Sequence, residues 1–169
     1  MKANQVNVSV FFSLLAIALL GTAGCSKNQR PDGLPPTYPL TITVLQEGKP
    51  LEGATVSLVS SEMTWVIGGV TDAEGKATMV THGKFDGAPE GTFSVRVQKT
   101  IYEGREEYDA AMTSGDTAAA QRVDVKMFQL VEDVYTSKDT PIKVEVKRDT
   151  KTLEVDAGPA VRLQKEFLK

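Results

Sequence analysis

From residue 38 onward, apolar and polar side chains alternate with a period of two. Leu40, Ile42 and Val44 alternate with Thr41 and Thr43, and Ala54, Val56 and Leu58 with Thr55 and Ser57. Ala77 and Met79 flank Thr78, and Phe93, Val95 and Val97 alternate with Ser94 and Arg96. Ile142, Val144 and Val146 alternate with Lys143, Glu145 and Lys147, while Leu153 and Val155 flank Glu154. Successive side chains of a strand point to opposite faces, so this pattern predicts strands with one buried and one wet face. Turn chemistry separates the runs: Gln46 to Pro50, Asp72 to Gly75 and Asp86 to Gly91. Gly supplies positive φ in such turns, and Asp bonds its own local backbone. The Asp72 turn joins a strand expected from about Trp65 to Val70 to the one at Ala77. Roughly six or seven short strands with regular turns predict an all-β fold, a single antiparallel sandwich.

Residues 101 to 133 break the rhythm. Glu103 to Met112 is rich in helix formers, and Asp116 is placed to cap a second short helix over Ala118 to Arg122. The segment at about 101–124 reads as a short, partly helical insertion. Val125 to Val131 fits a strand or a helix, with the strand favoured. Beyond Gly158 the tail 159–169 carries the basic and apolar pattern VRLQKEFLK, too short to assign.

The front of the chain follows another pattern. After Lys2, Val8 to Leu20 is apolar except for Ser9 and Ser13. That is shorter than the roughly 20 residues a spanning helix needs, and it suits the apolar region of a signal peptide. Thr22-Ala23-Gly24-Cys25 follows and resembles a bacterial lipobox. Ala23, Gly24 and Cys25 match that pattern, while Thr22 stands where Leu is usual. The resemblance implies cleavage before Cys25, diacylation of its sulfur and acylation of the new amino group. The alternatives are a secretory signal cut after Ala23 or Gly24, and an uncleaved anchor helix. Each buried methylene contributes about 0.8 kcal/mol, so two or three chains anchor a protein where one binds only marginally. Ser26, in place of Asp, implies by the same resemblance an outer-membrane location in the bacterial envelope.

These readings organise the chain as a lipoprotein signal peptide (1–24), Cys25 with a flexible linker (25–37), a β-domain (38–158) and the tail. The linker, SKNQRPDGLPPT after Cys25, is polar and Pro/Gly-rich. Its twelve residues reach about 40 Å when extended.

Composition narrows the chemistry. The 169 residues suit one domain with extras, and the net charge of −3 comes without the basic stripe that nucleic acid requires. The chain holds one Cys, one His and one Trp. A zinc site needs three or four ligands, which His82 and an acylated Cys25 do not make up. Asp72 and Glu74 share a turn, but TDAEG lacks the spacing of a calcium loop, and a hairpin with Asp72 bonding its own turn is favoured. His82, in THGKFDGAP, would need a nucleophile and an orienting group such as Thr81 or Asp86 to serve as a base. A loop histidine contacting backbone or water is favoured instead. Glu103, Glu106, Glu107 and Asp109 lie in a segment read as a solvated surface. Trp65 lies in a strand-like run, favouring core packing over stacking on a sugar. Tyr102, Tyr108, Phe128 and Tyr135 are candidates to rim a binding surface with the insertion. No catalytic residue, cofactor or metal is expected.

The blocks GKPLEGATVSLVS, GGVTDAEGKATMV and GTFSVRVQKT resemble the carboxypeptidase regulatory-like group of transthyretin-like domains. The matching positions are Gly48, Lys49, Pro50, Leu51, Gly53, Ala54 and Val56, then Thr71, Asp72, Gly75 and Ala77, then Gly91, Phe93, Val95 and Val97. The stretches YTSKDTPIKVEVK and TLEVDAG look like the closing strands of such lipoproteins from planctomycete-like and related bacteria. The resemblance implies a Greek-key, transthyretin (prealbumin)-like sandwich. Modules of this kind are accessory, adhesive or carbohydrate-contacting, so the motifs speak for fold rather than task. A hydrolase of 5-hydroxyisourate shares the architecture, but it uses several histidines and a Tyr-Arg-Gly-Ser ending, where this chain has only His82 and reads EFLK at 166–169. The expected function is a membrane-anchored lipoprotein, held through the lipid on Cys25, with a non-catalytic module for envelope or surface interaction. The alternative is a carbohydrate-binding accessory domain of a surface polysaccharide system. The partner would be an envelope protein or a polysaccharide, not nucleic acid.

Overall fold

The computed structural model describes residues 30–166. The signal peptide and Cys25 lie outside the described residues. Chain contacts divide the protein into residues 1–34 and 35–169. In the first unit, the Leu34 N–H donates to the Pro31 carbonyl at 3.2 Å, closing a turn.

The second unit is mostly β. Its strands run β1 (Thr37–Tyr38), β2 (Thr41–Gln46), β3 (Lys49–Pro50), β4 (Thr55–Val59), β5 (Ile67–Val70), β6 (Lys76–Thr78), β7 (Val80–Thr81), β8 (Phe85–Asp86), β9 (Ala88–Pro89), β10 (Gly91–Gln98) and β11 (Thr100–Glu103). Helices α1 (Arg105–Ser114) and α2 (Thr117–Ala120) follow. Then come β12 (Lys126–Gln129), the one-turn helix α3 (Asp133–Thr136), β13 (Lys143–Val146), β14 (Thr152–Asp156) and β15 (Leu163–Lys165).

Two larger sheets share one core. The first has six strands in the order β13-β10-β4-β5-β7-β8. In the second, β2 pairs β14 along one edge and both β3 and β6 along the other. The alternating residues meet between them: Ile42 and Val44 of β2, Ala77 of β6 and Val155 of β14 cluster with Val56, Leu58, Phe93, Val95, Val97 and Val146. Each fully buried aliphatic or Phe side chain contributes about 1.5–3 kcal/mol, which makes this layer the main source of stability. The arrangement is consistent with an all-β sandwich. Two smaller sheets, β1-β9 and β11-β12-β15, complete the unit.

One pairing departs from the all-antiparallel expectation. β14 lies parallel to β2, with Leu153 opposite Ile42 and Val155 opposite Val44. The chain leaves β13, at the edge of the six-stranded sheet, through a turn closed by Thr150 N–H to Lys147 O. It then enters the other sheet, where the Thr41 N–H donates to Lys151 O. Alternation specifies which face of β14 is buried; it carries nothing about the direction of the neighbouring strand.

The turns follow their residues. Glu47 and Gly48, with φ of 52° and 74°, connect the paired residues Gln46 and Lys49. Positive φ at both central positions gives the mirror-image turn whose twist matches a hairpin. At the Asp72 turn, Asp72 Oδ1 accepts from the Glu74 and Lys76 N–H groups at 3.1 and 2.8 Å. Gly75 sits at φ 74°, where a Cβ would lie 2.7 Å from the Val44 carbonyl oxygen.

The insertion is a helical excursion from a β-ladder. β11 and β12 pair antiparallel, Glu103 opposite Lys126. Gly104 begins α1 at φ 74°, with Asp124 beside it. Asp116 caps α2, accepting from the Ala119 N–H at 2.9 Å. The tail contributes β15, which pairs with β12.

Candidate functional site

On β10 and β13 the outer-face side chains Thr92, Ser94, Arg96, Lys143 and Glu145 are polar where the inner ones are apolar. Cross-strand register aligns them: Lys143 of β13, Ser94 of β10 and Val59 of β4 form one row, and Arg96 and Ser57 the next. The Lys143 ammonium donates to Ser94 Oγ. Arg96 Nε donates to the Thr136 carbonyl at 2.8 Å, seating α3 over β10. Two loops rise beside this floor. Ser60, Ser61 and Glu62 come from the β4–β5 connection, and Lys138 and Asp139 from the segment after α3. The groove between them has a volume of about 750 Å³.

A smaller hollow of about 260 Å³ adjoins it, lined by Met63, Trp65 and Arg96 among others, and the two share Val59 and Ser60. Trp65 departs from the core position its setting suggested. β5 begins two residues later at Ile67, and Trp65 is half-buried. The His82 ring meets it edge-on, with centroids 5.6 Å apart and planes at 80°. His82 itself is exposed, in the β7–β8 turn at φ 53°, and its N–H donates to Val66 O at 2.7 Å. The turn therefore clamps the Trp65–Val66 segment from outside. Thr81, the nearest candidate nucleophile, donates its hydroxyl to the Gly87 carbonyl at 2.7 Å. Asp86 lines a separate hollow of about 380 Å³ with Lys151.

The remaining candidates are spread apart. Residues directly opposite on paired strands share a face. Tyr102 opposite Met127 and Ile101 opposite Phe128 therefore put Tyr102 and Phe128 on opposite sides of their sheet. Arg162 covers the Phe128 ring at 4.3 Å and pairs with Glu103. Tyr135 packs against the core beside Gly158, and Tyr108 is half-buried on α1. Arg105 bonds Asp109 at 2.8 Å, which raises the guanidinium pKa above its ordinary value. Glu106 and Glu107 lie exposed in the first turn of α1. Among the described residues, no group of three His, Cys, Asp or Glu is placed to hold a metal ion, and no helix is long and apolar enough to cross a membrane. The groove gave no motif in the sequence. Its residues appear there only as the polar halves of alternating runs.

Comparison with protein-family models, curated proteins and solved structures finds no match to this chain.

Proposed function

We propose that this protein is a bacterial lipoprotein, anchored through acylated Cys25. Its Pro-rich tether would carry a non-catalytic, transthyretin-like Greek-key sandwich for interaction within the cell envelope, at the outer membrane. One observation carries the reading: a short apolar run ends at Thr22-Ala23-Gly24-Cys25 and passes directly into polar SKNQRPDG. The likeness to carboxypeptidase regulatory-like domains gains support from what the matching residues do. Gly53 donates its N–H to Thr71 O, Thr71 bonds Leu51 and Ala54, Asp72 closes its turn and Gly75 sits where a side chain would collide. These are scaffold roles, which is why the motif speaks for fold and leaves the task to the surface. The non-catalytic reading draws support from His82, which faces Trp65, and from Thr81, whose hydroxyl is engaged by backbone.

The test is chemical. Mass spectrometry of the native protein should find acyl chains on Cys25, and Cys25→Ala should move the protein from the detergent phase to the aqueous phase. An unmodified Cys25 thiol in native protein would sink the reading.

A further inference from the structure

We propose that the outer-face groove of the six-stranded sheet binds a neutral glycan chain, with Trp65 as its stacking ring. This rests on the reading of the domain as an envelope interaction module and names the ligand class and the surface.

Size comes first. The groove of about 750 Å³ falls within the range of small-molecule sites, roughly 300–1,000 Å³, and the Trp65 hollow extends it. Its lining takes in Val59 of β4, Thr92, Phe93 and Ser94 of β10 and Lys143 of the edge strand β13, so it runs across three strands rather than along the edge alone. A peptide adding a strand would use a sheet edge instead.

The lining then selects the ligand. Each sugar hydroxyl both donates and accepts, so a matching site sets donors and acceptors side by side. Lys138 adjoins Asp139, Ser61 adjoins Glu62, and Lys143 lies across from Ser94. None of Lys138, Asp139, Glu62 or Lys143 enters an ion pair among the described residues. Lys143 bonds the neutral Ser94 hydroxyl, and no opposite charge among the described residues neutralises any of the four. A compact anion would want donors alone, and the Glu62 and Asp139 carboxylates oppose it. The apolar CH face of a sugar ring needs a flat, rigid partner. Trp65 supplies one in the adjoining hollow, steadied by His82 and by the bond from His82 N–H to Val66 O.

Trp65 is the only tryptophan, so its emission reports on the site directly. The full chain, in a detergent without a sugar head group, is titrated with neutral hexose oligomers and separately with hexuronate oligomers. We expect a saturable change in emission with a neutral series. Lys143→Ala and Asp139→Ala, both exposed and tolerant of change, should weaken it at least about tenfold, as should Trp65→Ala measured by calorimetry. Tyr102→Ala, on a different sheet, should bind as the parent does. Saturation by hexuronates alone, no saturation by any neutral series, or parent-like binding by all three groove variants overturns the assignment. A chain that is acylated on Cys25 yet binds no glycan refutes the groove and leaves the tethered-module reading standing.

Discussion

Thr71 donates its hydroxyl to the carbonyl of Leu51, 20 residues earlier, at 2.5 Å and accepts the Ala54 N–H at 2.7 Å. Both bonds are buried, and two backbone bonds run alongside, Gly53 N–H to Thr71 O and Thr71 N–H to Ala54 O. One small side chain thus ties the end of β5 to the loop before β4. Thr71→Val keeps the shape and removes both side-chain bonds. It leaves a buried N–H and a buried carbonyl unsatisfied, each at a cost of about 1–3 kcal/mol. Thr71→Ser should retain most of the parent stability in urea unfolding. A loss in Thr71→Ser as large as or larger than that in Thr71→Val would mean that the hydroxyl bonds are not the main contribution of Thr71.

Gly87 and Gly83 separate strain from collision. Both have positive φ, 84° and 67°. A Cβ on Gly83 meets open space, whereas on Gly87 it would overlap the Tyr38 carbonyl. Gly83→Ala should cost only the left-handed penalty of about 1–2 kcal/mol. Gly87→Ala must also push β1 away from β9 and should lower the melting temperature further. Similar melting temperatures for the two variants would show that the β1–β9 pair contributes nothing.

The sequence spoke clearly where burial was periodic. Ile42, Val44, Val56, Leu58, Phe93, Val95 and Val97 are all buried, as their alternation required. The Asp72 hairpin and the Asp116 cap were equally legible, because each is a local contest for backbone hydrogen bonds that the side chain wins. β15 was not, since polar contacts fasten it: Arg162 to Glu103 and Phe128, Lys165 to Asp133. Such contacts leave no apolar period. Trp65 was misplaced because Trp65-Val66-Ile67-Gly68-Gly69-Val70 offers two apolar registers, and only Ile67 of the pair Val66–Ile67 is buried. The groove was illegible for a further reason. Ser94 comes from a segment far in sequence from Asp139 and Lys143, and strand register alone brings it beside Lys143.

The Asp133–Lys165 contact should make the tail strand sensitive to acid. Lys165 Nζ lies 2.7 Å from Asp133 Oδ1, and Gln129 Nε2 donates to the same carboxylate at 2.8 Å. Lys165, then Gln129, lower the Asp133 pKa below its ordinary value. A carboxyl with a depressed folded-state pKa contributes stability that is complete above its unfolded value, about 3.9, and is lost as pH falls through the folded value. β15 should therefore fray below about pH 4, seen as faster hydrogen exchange of the β12–β15 amides by the slower-exchanging standard of β10. The contact is exposed, so added salt should weaken the effect. Lys165→Ala should remove most of the pH dependence. An unchanged acid response in that variant would assign it to another carboxylate.

The helical excursion should be removable. β11 and β12 already face each other with Glu103 opposite Lys126, so Asn-Gly in place of residues 104–125 converts the excursion into a two-residue hairpin. Ala120 is buried but stands outside the shared core cluster. Loop closure grows by about 0.6 kcal/mol per doubling of length, so shortening this loop gains roughly 2 kcal/mol at most. That gain offsets the lost packing of α1 against α2. The shortened protein should lose its helical circular dichroism and melt close to the parent. Val56→Asp gives the contrast, because it buries an unpaired charge between the sheets at a cost of several kcal/mol. If excision destabilised the domain as severely as Val56→Asp, α1 and α2 would have to belong to the core rather than to the surface.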